Sequence, residues 1–201
     1  MTLDTLKEEK FKAITGCKEL TRVITGIERA QDAGITVRAN VVVLKGINDD
    51  ELEDFITFSK THEVTVRFIE YMPIVLNPQQ QHYFMSKEEI IEKLSAHLNF
   101  KVYPHGKFDD PTKHLSLIKG GESGIISPVS HSLCRNCNRL KLTSDGFFKT
   151  CLVHDVQVDL TAPLRNNARD EGIAALFKSA VLLKPEHGIC VLREKTTGSN
   201  L

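Results

Sequence analysis

In the first part of the chain, segments whose apolar residues have helical spacing alternate with apolar runs of strand length. In residues 5–33 they recur every three or four positions, which predicts two amphipathic helical segments that end at Gly34. Residues 35–44 are a largely apolar run of strand length, typical of a parallel strand that is covered on both faces. Residues 64–72 are predicted to be the next strand. The residues between these runs have helical spacing to about residue 60. Because helices and strands alternate with short links, the pattern predicts a parallel sheet or a (β/α) barrel.

The predicted barrel is incomplete. Asn48 or Asp49 is the predicted N-cap of the helix between the two strands, and Thr2-Leu3-Asp4 resembles the last residues of a further strand. Two or three βα units do not close a barrel. The predicted fold class is therefore α/β, with an incomplete (β/α) TIM-type barrel portion in residues 1–73. An α+β carboxyl-terminal domain with a three-cysteine metal site is predicted in residues 74–201.

The second part of the chain is richer in strand patterns. Residues 74–85 are a polar excursion, predicted to be a mobile loop. Ser86 is followed by Glu89 at the spacing of a capping box, which predicts the start of a helix. The other elements predicted here are three strands and a later helix, at residues 100–103, 114–118, 124–128 and 168–183.

Charge excludes some classes of partner. The 26 Lys and Arg residues equal the 26 Asp and Glu residues in number, so no global field favours nucleic acid or a membrane surface. Any anion site has to be local. No signal peptide is visible, and no apolar run reaches the length of a membrane span. The sequence therefore predicts a cytoplasmic protein that binds neither nucleic acid nor membrane.

Cys134, Cys137 and Cys151 have the spacing C-x2-C-x13-C, which predicts a metal site. The residues between the second and third cysteines read as a hairpin around a Ser144-Asp145-Gly146 turn, which would return Cys151 to the first pair. Zinc requires four ligands, and His154 supplies a fourth, with His131 as a second candidate. A [4Fe–4S] cluster held by three cysteines keeps one iron open to substrate. Spacing alone leaves both metals as alternatives.

Two cations follow the first cysteine pair. Arg139 and Lys141 stand on alternate residues and would point to one side of a strand. A paired cationic face beside a metal suits a phosphate or carboxylate ligand, and the simpler alternative is a solvated strand face.

Further polar residues interrupt the two apolar strands. Arg67 needs an anion if it is buried in its strand, and the alternative to a ligand is an internal salt bridge with Glu70. Arg38 and Asn40 share one face of the other strand and could line the same site.

Together these motifs resemble the carboxyl-terminal two-thirds of the GTP 3',8-cyclases, the radical S-adenosylmethionine (SAM) enzymes that begin molybdenum cofactor biosynthesis. The cysteine segment is the specific part of the resemblance, and the order and separation of the other segments support it. The segments are Leu3-Asp4-Thr5-Leu6 with residues 10–15, Asn40 to Asp49, Arg67 to Pro73, Gly124 to Ser130, Cys134 to Gly146, and Cys151-Leu152.

The resemblance implies two [4Fe–4S] clusters in an incomplete barrel. An amino-terminal cluster, held by C-x3-C-x2-C, cleaves SAM, and a second cluster is held by the three cysteines of the C-x2-C-x13-C segment. The open iron of the second cluster receives GTP, which becomes 3',8-cyclo-7,8-dihydro-GTP and passes to cyclic pyranopterin monophosphate synthase. The resemblance assigns GTP-binding roles to Arg139, Lys141 and Arg67, and SAM-binding roles to Arg38, Asn40 and Met72.

The chain also departs from that pattern. It contains no C-x3-C-x2-C motif, so no catalytic residue is assigned and the chain alone is expected to be inactive. Its end, Gly198 to Leu201, lacks the family's terminal Gly-Gly. A homodimer or an amino-terminal partner chain is the expected assembly. The alternative function is a non-catalytic zinc-binding module for structure or interaction, with Cys134, Cys137, Cys151 and His154 as ligands.

Overall fold

The fold is taken from a computed structural model that describes most of the chain. The described residues are 1–73, 78–96, 100–103, 112–117, 122–130, 137, 139–152 and 154–185. They form two compact units, Met1–His131 and Ser132–Leu201.

The first unit contains four α-helices, one 3-10 helix and five strands among its described residues. In chain order they are α1 (Glu8–Thr15), α2 (Leu20–Asp32), β1 (Arg38–Val43), α3 (Leu52–Thr61), β2 (Thr65–Glu70), the 3-10 helix (Pro78–Tyr83), α4 (Lys87–Ser95), β3 (Phe100–Tyr103), β4 (Thr112–Leu117) and β5 (Glu122–Ile126). The strands make one sheet in the order β1-β2-β5-β4-β3.

The sheet is parallel at one side and antiparallel at the other. β1 pairs with β2 and β2 pairs with β5 in parallel, whereas β3 and β4 are antiparallel additions. The predicted parallel α/β arrangement is therefore confirmed. Thr2 forms a parallel bridge to Asn40 of β1. Extended backbone therefore pairs with β1 at Thr2, where the sequence predicted the last residues of a further strand. β5 joins the sheet from beyond residue 73, so strands on both sides of the predicted domain boundary belong to one sheet. The division into domains at residues 73 and 74 stays a prediction.

One face of the sheet packs on the core. Burial alternates along β1, where Ala39, Val41 and Val43 are buried while the intervening residues are partly or fully exposed. β2 alternates in the same way, with Phe68 fully buried against Phe55 of α3. The near-continuous apolar run of the first strand predicted burial on both faces. The structure differs because the chain places polar residues on the second face of each strand.

The N-cap predicted for α3 is wrong. Glu51 occupies that position, and no side chain of the described residues forms a cap hydrogen bond with the helix. Asn48 instead holds its own loop, accepting a hydrogen bond from the Leu44 amide at 2.7 Å and donating to the Val42 carbonyl at 2.8 Å. Asp49 accepts from the Gly46 amide at 2.7 Å. These short polar side chains serve the turn that precedes the helix.

The segment around α4 is well organised. Ser86 and Glu89 form the predicted capping box, in which each side chain accepts the other residue's amide. Residues 74–77 of the predicted mobile loop lie outside the described part. Residues Pro78–Tyr83 are a 3-10 helix, and the Tyr83 carbonyl accepts from the Lys45 amide at 2.9 Å. No helix among the described residues is long and apolar enough to span a membrane.

The second unit is a small sheet with two helices in its described part. Its elements are β6 (Lys141–Leu142), β7 (Phe147–Lys149), β8 (Gln157–Asp159), α5 (Thr161–Arg165) and α6 (Asp170–Leu182). The sheet order is β6-β7-β8, and Phe148, Leu160 and Ala180 form a buried apolar cluster. The hairpin and α6 were predicted, whereas the short strand β8 was not.

Candidate metal and anion sites

Asn40 and Arg67 are neighbours on the second face of the parallel sheet. They are register partners across β1 and β2, and partners in a sheet project to the same face. Arg67 is also paired with Gly124 of β5. Gly124 is buried and has no side chain, so nothing projects beside Arg67 from that strand. The sequence predicted that Asn40 and Arg67 would share a site, and the register brings them side by side.

The Asn40 side chain has an unusual polar environment. Its Oδ1 atom is buried and has no hydrogen-bond partner among the described residues. A buried carbonyl oxygen usually has a partner, because losing its hydrogen bond to water is costly. This face of the sheet therefore offers an acceptor suited to a ligand N–H group. Arg38 is exposed on the same face of β1, and Met72 is half-buried beyond the end of β2.

Glu70 has a role that the sequence did not reveal. Its side chain is only 1% exposed, so the carboxylate is buried at the carboxyl end of β2. It accepts hydrogen bonds from the Lys87 amide at 2.7 Å and from the Val129 and Ser130 amides at 2.9 Å each. The carboxylate thus joins β2 to the start of α4 and to the turn after β5. Arg67 and Glu70 are three residues apart on one strand, hence on opposite faces, so they are not arranged as the predicted internal salt bridge.

The second unit carries the cysteine hairpin, defined here as residues 137–151. Lys141 pairs with Lys149 in the β6–β7 ladder, and the turn has Gly146 at φ 87°, where glycine is favoured. The hairpin predicted around this turn is confirmed. Cys137 and Cys151 are free, half-buried thiols. Cys137 precedes the ladder in sequence and Cys151 follows it, so both flank its open end. Cys134 and His131 lie outside the described residues, so the predicted three-cysteine set is described only in part.

Arg139 and Lys141 are exposed near the thiols. Arg139 precedes β6, and Lys141 is its first residue. Both cations are therefore accessible to an anionic ligand in solution. No hydrogen bond or ion pair of either side chain is recorded among the described residues.

Lys184 joins the two ends of the cysteine hairpin. Its Nζ donates to the Arg139 carbonyl at 2.8 Å and to the Thr150 carbonyl at 2.9 Å. Thr150 is fully buried and immediately precedes Cys151. No local sequence pattern marks Lys184, which follows the predicted helix near its Pro185 stop.

His154 presents a second unsatisfied polar atom. Its Nε2 is buried and has no hydrogen-bond partner among the described residues. Two free thiols and a buried imidazole nitrogen are donors that suit a thiolate-bound metal. However, no three His, Cys, Asp or Glu side chains converge anywhere in the described ranges. Cys137, Cys151 and His154 are all described, so the geometry does not group these three residues.

Comparison with known proteins connects these features to a family. The family profile described as Molybdenum Cofactor Synthesis C matches residues 64–189. Proteins named GTP 3',8-cyclase from Thermodesulfovibrio yellowstonii and Moorella thermoacetica are 40% and 38% identical to the chain, over 92% and 93% of its length. A protein of that name from Hydrogenovibrio crunogenus is 38% identical over 92% of the chain. The chain spans only 58%, 59% and 58% of these three relatives, respectively. The resemblance found in the sequence is thereby confirmed.

Proposed function

Because this chain belongs to the Molybdenum Cofactor Synthesis C family, we propose that it acts in molybdenum cofactor biosynthesis, as the substrate-binding part of a GTP 3',8-cyclase-type radical SAM protein. The observation that carries the proposal is the cysteine hairpin. Its free thiols, Cys137 and Cys151, flank a segment that carries two exposed cations, Arg139 and Lys141. A thiolate-bound metal beside anion-binding side chains suits a nucleoside triphosphate.

In this proposal Cys134, Cys137 and Cys151 hold one [4Fe–4S] cluster. Three thiolates leave one iron of a cubane cluster without a protein ligand, and that open position can coordinate the purine end of GTP. The half-buried state of both described thiols is consistent with ligands that are shielded yet reachable by a substrate. Arg139 and Lys141 offset part of the negative charge of the triphosphate, with Arg139 able to make two parallel hydrogen bonds and Lys141 acting as a point charge.

The second face of the parallel sheet is the proposed SAM side of the protein. Asn40 supplies an unsatisfied acceptor for the N–H groups of SAM, and Arg38 and Met72 are its proposed neighbours in that pocket. Arg67, the register partner of Asn40, is proposed to contact GTP. Strands β1, β2 and β5 are then the parallel strands of an incomplete (β/α) barrel.

Radical generation requires a second cluster. The 201 residues contain no C-x3-C-x2-C motif, so the chain by itself is expected not to cyclise GTP. We propose that the SAM-cleaving cluster is supplied from outside these 201 residues. An amino-terminal partner chain could carry it, whereas a homodimer of these residues alone would add no such motif. The cyclised nucleotide would pass to cyclic pyranopterin monophosphate synthase in the cytoplasm.

One observation keeps the zinc-binding module as a second candidate. The buried Nε2 of His154 has no hydrogen-bond partner among the described residues, so it could serve as a ligand. A Cys134, Cys137, Cys151 and His154 site would be tetrahedral and closed, and would serve folding or interaction rather than catalysis. Against it, Cys137, Cys151 and His154 do not converge in the described structure.

Metal analysis of protein purified without oxygen tests the proposal. Four irons and four sulfides per chain, with a spectrum that GTP perturbs, are expected for the [4Fe–4S] site. His154→Ala should leave this content unchanged, whereas Cys151→Ala should lose it. Cys17→Ala is the matched control, because Cys17 is an exposed free thiol of the first unit. One zinc per chain, no sulfide even after anaerobic reconstitution with iron and sulfide, and loss of zinc in His154→Ala would instead establish the zinc module.

A further inference from the structure

The β6–β7 ladder ends before it reaches the cysteines. Its outermost pair is Lys141 with Lys149, and Cys137 and Cys151 both lie beyond that pair. Backbone hydrogen bonds within the ladder therefore do not fix the distance between the two segments that carry the thiols. Another contact has to hold these segments if they are to share a metal.

Lys184 makes that contact. Its ammonium group bridges the carbonyl of Arg139, two residues after Cys137, and the carbonyl of Thr150, directly before Cys151, at 2.8 and 2.9 Å. Hydrogen bonds to charged groups are stronger than those between neutral groups. Among the described residues, this bridge is the hydrogen-bonded link between the two segments at the open end of the hairpin.

The Thr150 end of the bridge has further hydrogen bonds. The Thr150 amide and hydroxyl both donate to the Val156 carbonyl, at 3.3 and 3.2 Å. These bonds tie the residue before Cys151 to the residue before β8. The Thr150 side of the bridge therefore has restraints besides Lys184.

The position of Lys184 does not depend on the bridge alone. It lies two residues after α6, whose Ala180 is fully buried with Phe148 and Leu160. Apolar packing thus holds the helix end in place against the sheet. The negative end of the helix dipole also favours a cation there.

We propose that Lys184 is a positioning residue for the thiolate metal site, holding the Cys137 and Cys151 segments at the separation that a shared metal requires. Its ammonium also places a positive charge one peptide group from Cys151, which offsets the negative charge of metal-bound thiolates. The proposal rests on the metal site proposed above and adds a residue that acts on that site through the backbone.

The full chain with three substitutions tests this proposal. Lys184→Met removes the ammonium and keeps a long side chain, Lys184→Arg restores a cation with several donors, and Lys178→Met is the control on an exposed position of α6. After anaerobic reconstitution with iron and sulfide, the loss of iron to a chelator is followed by absorption. Loss of an outer partner of a metal site typically weakens metal binding by about 10–100-fold. Lys184→Met should release iron faster by about that factor, Lys184→Arg should recover most of the difference, and Lys178→Met should match the parent chain.

A second readout separates this proposal from the metal assignment. In metal-free protein, the rate of cross-linking between Cys137 and Cys151 by a short thiol-specific reagent reports their separation, with the linked peptides identified by mass spectrometry. Slower cross-linking in Lys184→Met supports the positioning role even if the parent chain binds no iron, in which case the proposed cluster fails and the positioning role stands. Lys184→Met that equals Lys178→Met in both readouts overturns the proposal. So does a general loss of stability in metal-free Lys184→Met that Lys184→Arg leaves unrescued, because that result indicates a purely structural residue.

Discussion

Replacing Glu70 by glutamine is the sharpest test of how the first unit is held together. The substitution keeps the size of the side chain and removes its charge. One carboxylate oxygen accepts the Lys87 amide, and the other accepts the Val129 and Ser130 amides. Glutamine has one acceptor oxygen and one N–H₂ group, so it cannot serve both sides. The best orientation keeps the bonds to Val129 and Ser130 and turns the N–H₂ group toward the Lys87 amide.

The magnitude follows from that orientation. One charge-assisted hydrogen bond is lost, and a buried backbone donor is left facing another donor. At about 1.5–3 kcal/mol for the bond, with a further penalty for the unpaired donor, the free energy of unfolding should fall by about 2–4 kcal/mol. With a urea dependence of about 2 kcal/mol per molar, the unfolding midpoint should fall by about 1–2 M.

The assay combines urea unfolding with hydrogen exchange. Circular dichroism gives the midpoint for metal-free protein, and mass spectrometry gives exchange in peptides that cover the start of α4. Exchange at the Lys87 amide, which loses its acceptor, should rise in Glu70→Gln. Glu92→Gln is the matched control, the same chemical change at an exposed position of α4. If the two variants agree within about 0.5 kcal/mol, the size expected of an ordinary surface substitution, the buried carboxylate does not hold these elements together.

Three further substitutions test local features. Gly146→Ala should cost about 1–3 kcal/mol by urea unfolding, because φ is 87° and a Cβ there would lie 2.0 Å from Thr161 Oγ1; Thr161→Ala should relieve part of that cost, and no relief would contradict the clash. Asp50→Asn tests the hydrogen bond from Lys10, which with other contacts lowers the pKa of Asp50 from 3.8 to about 2. Since the pKa of Asp50 is lower in the folded state, its carboxylate stabilises the fold above pH 3.8 and loses this effect as pH falls toward 2. At this exposed site the parent chain should exceed Asp50→Asn in free energy of unfolding by less than about 1 kcal/mol, and this difference should vanish in acid. A difference in free energy of unfolding that grows in acid would refute the reasoning. Ser86→Ala should cost about 1 kcal/mol by removing the N-cap acceptor, with Ser86→Thr retaining most of it and an unchanged urea midpoint in Ser86→Ala counting against the cap.

The elements that were predictable from sequence are those with a local signal. The alternation of helix and strand spacing gave the parallel arrangement of β1 and β2. Ser86 and Glu89 are three residues apart, and the capping box follows from that spacing alone. Gly146 marked the hairpin turn, because a positive φ favours glycine.

Contacts between distant residues left no such signal. Glu70 reaches amides 17, 59 and 60 residues later, and Lys184 reaches carbonyls 45 and 34 residues earlier. Glu70 lies in one of the segments that carry the family resemblance, but no local pattern names the hydrogen-bond partners of either side chain, because those partners depend on the tertiary fold. Asn48 shows a different difficulty: a residue type that favours helix caps also favours turns, and the structure uses it in the turn.

The way β5 enters the sheet has a consequence for the order of folding. β3, β4 and β5 are joined as successive antiparallel neighbours, so they can pair soon after they are made. β2, by contrast, gains its second neighbour only when Val66 meets Ser123, far along the chain. During synthesis, α4, β3 and β4 must all emerge before that edge of β2 is covered. A nascent or truncated chain that stops short of β5 therefore exposes an unpaired parallel edge with Arg67 on it, a state prone to association with other chains.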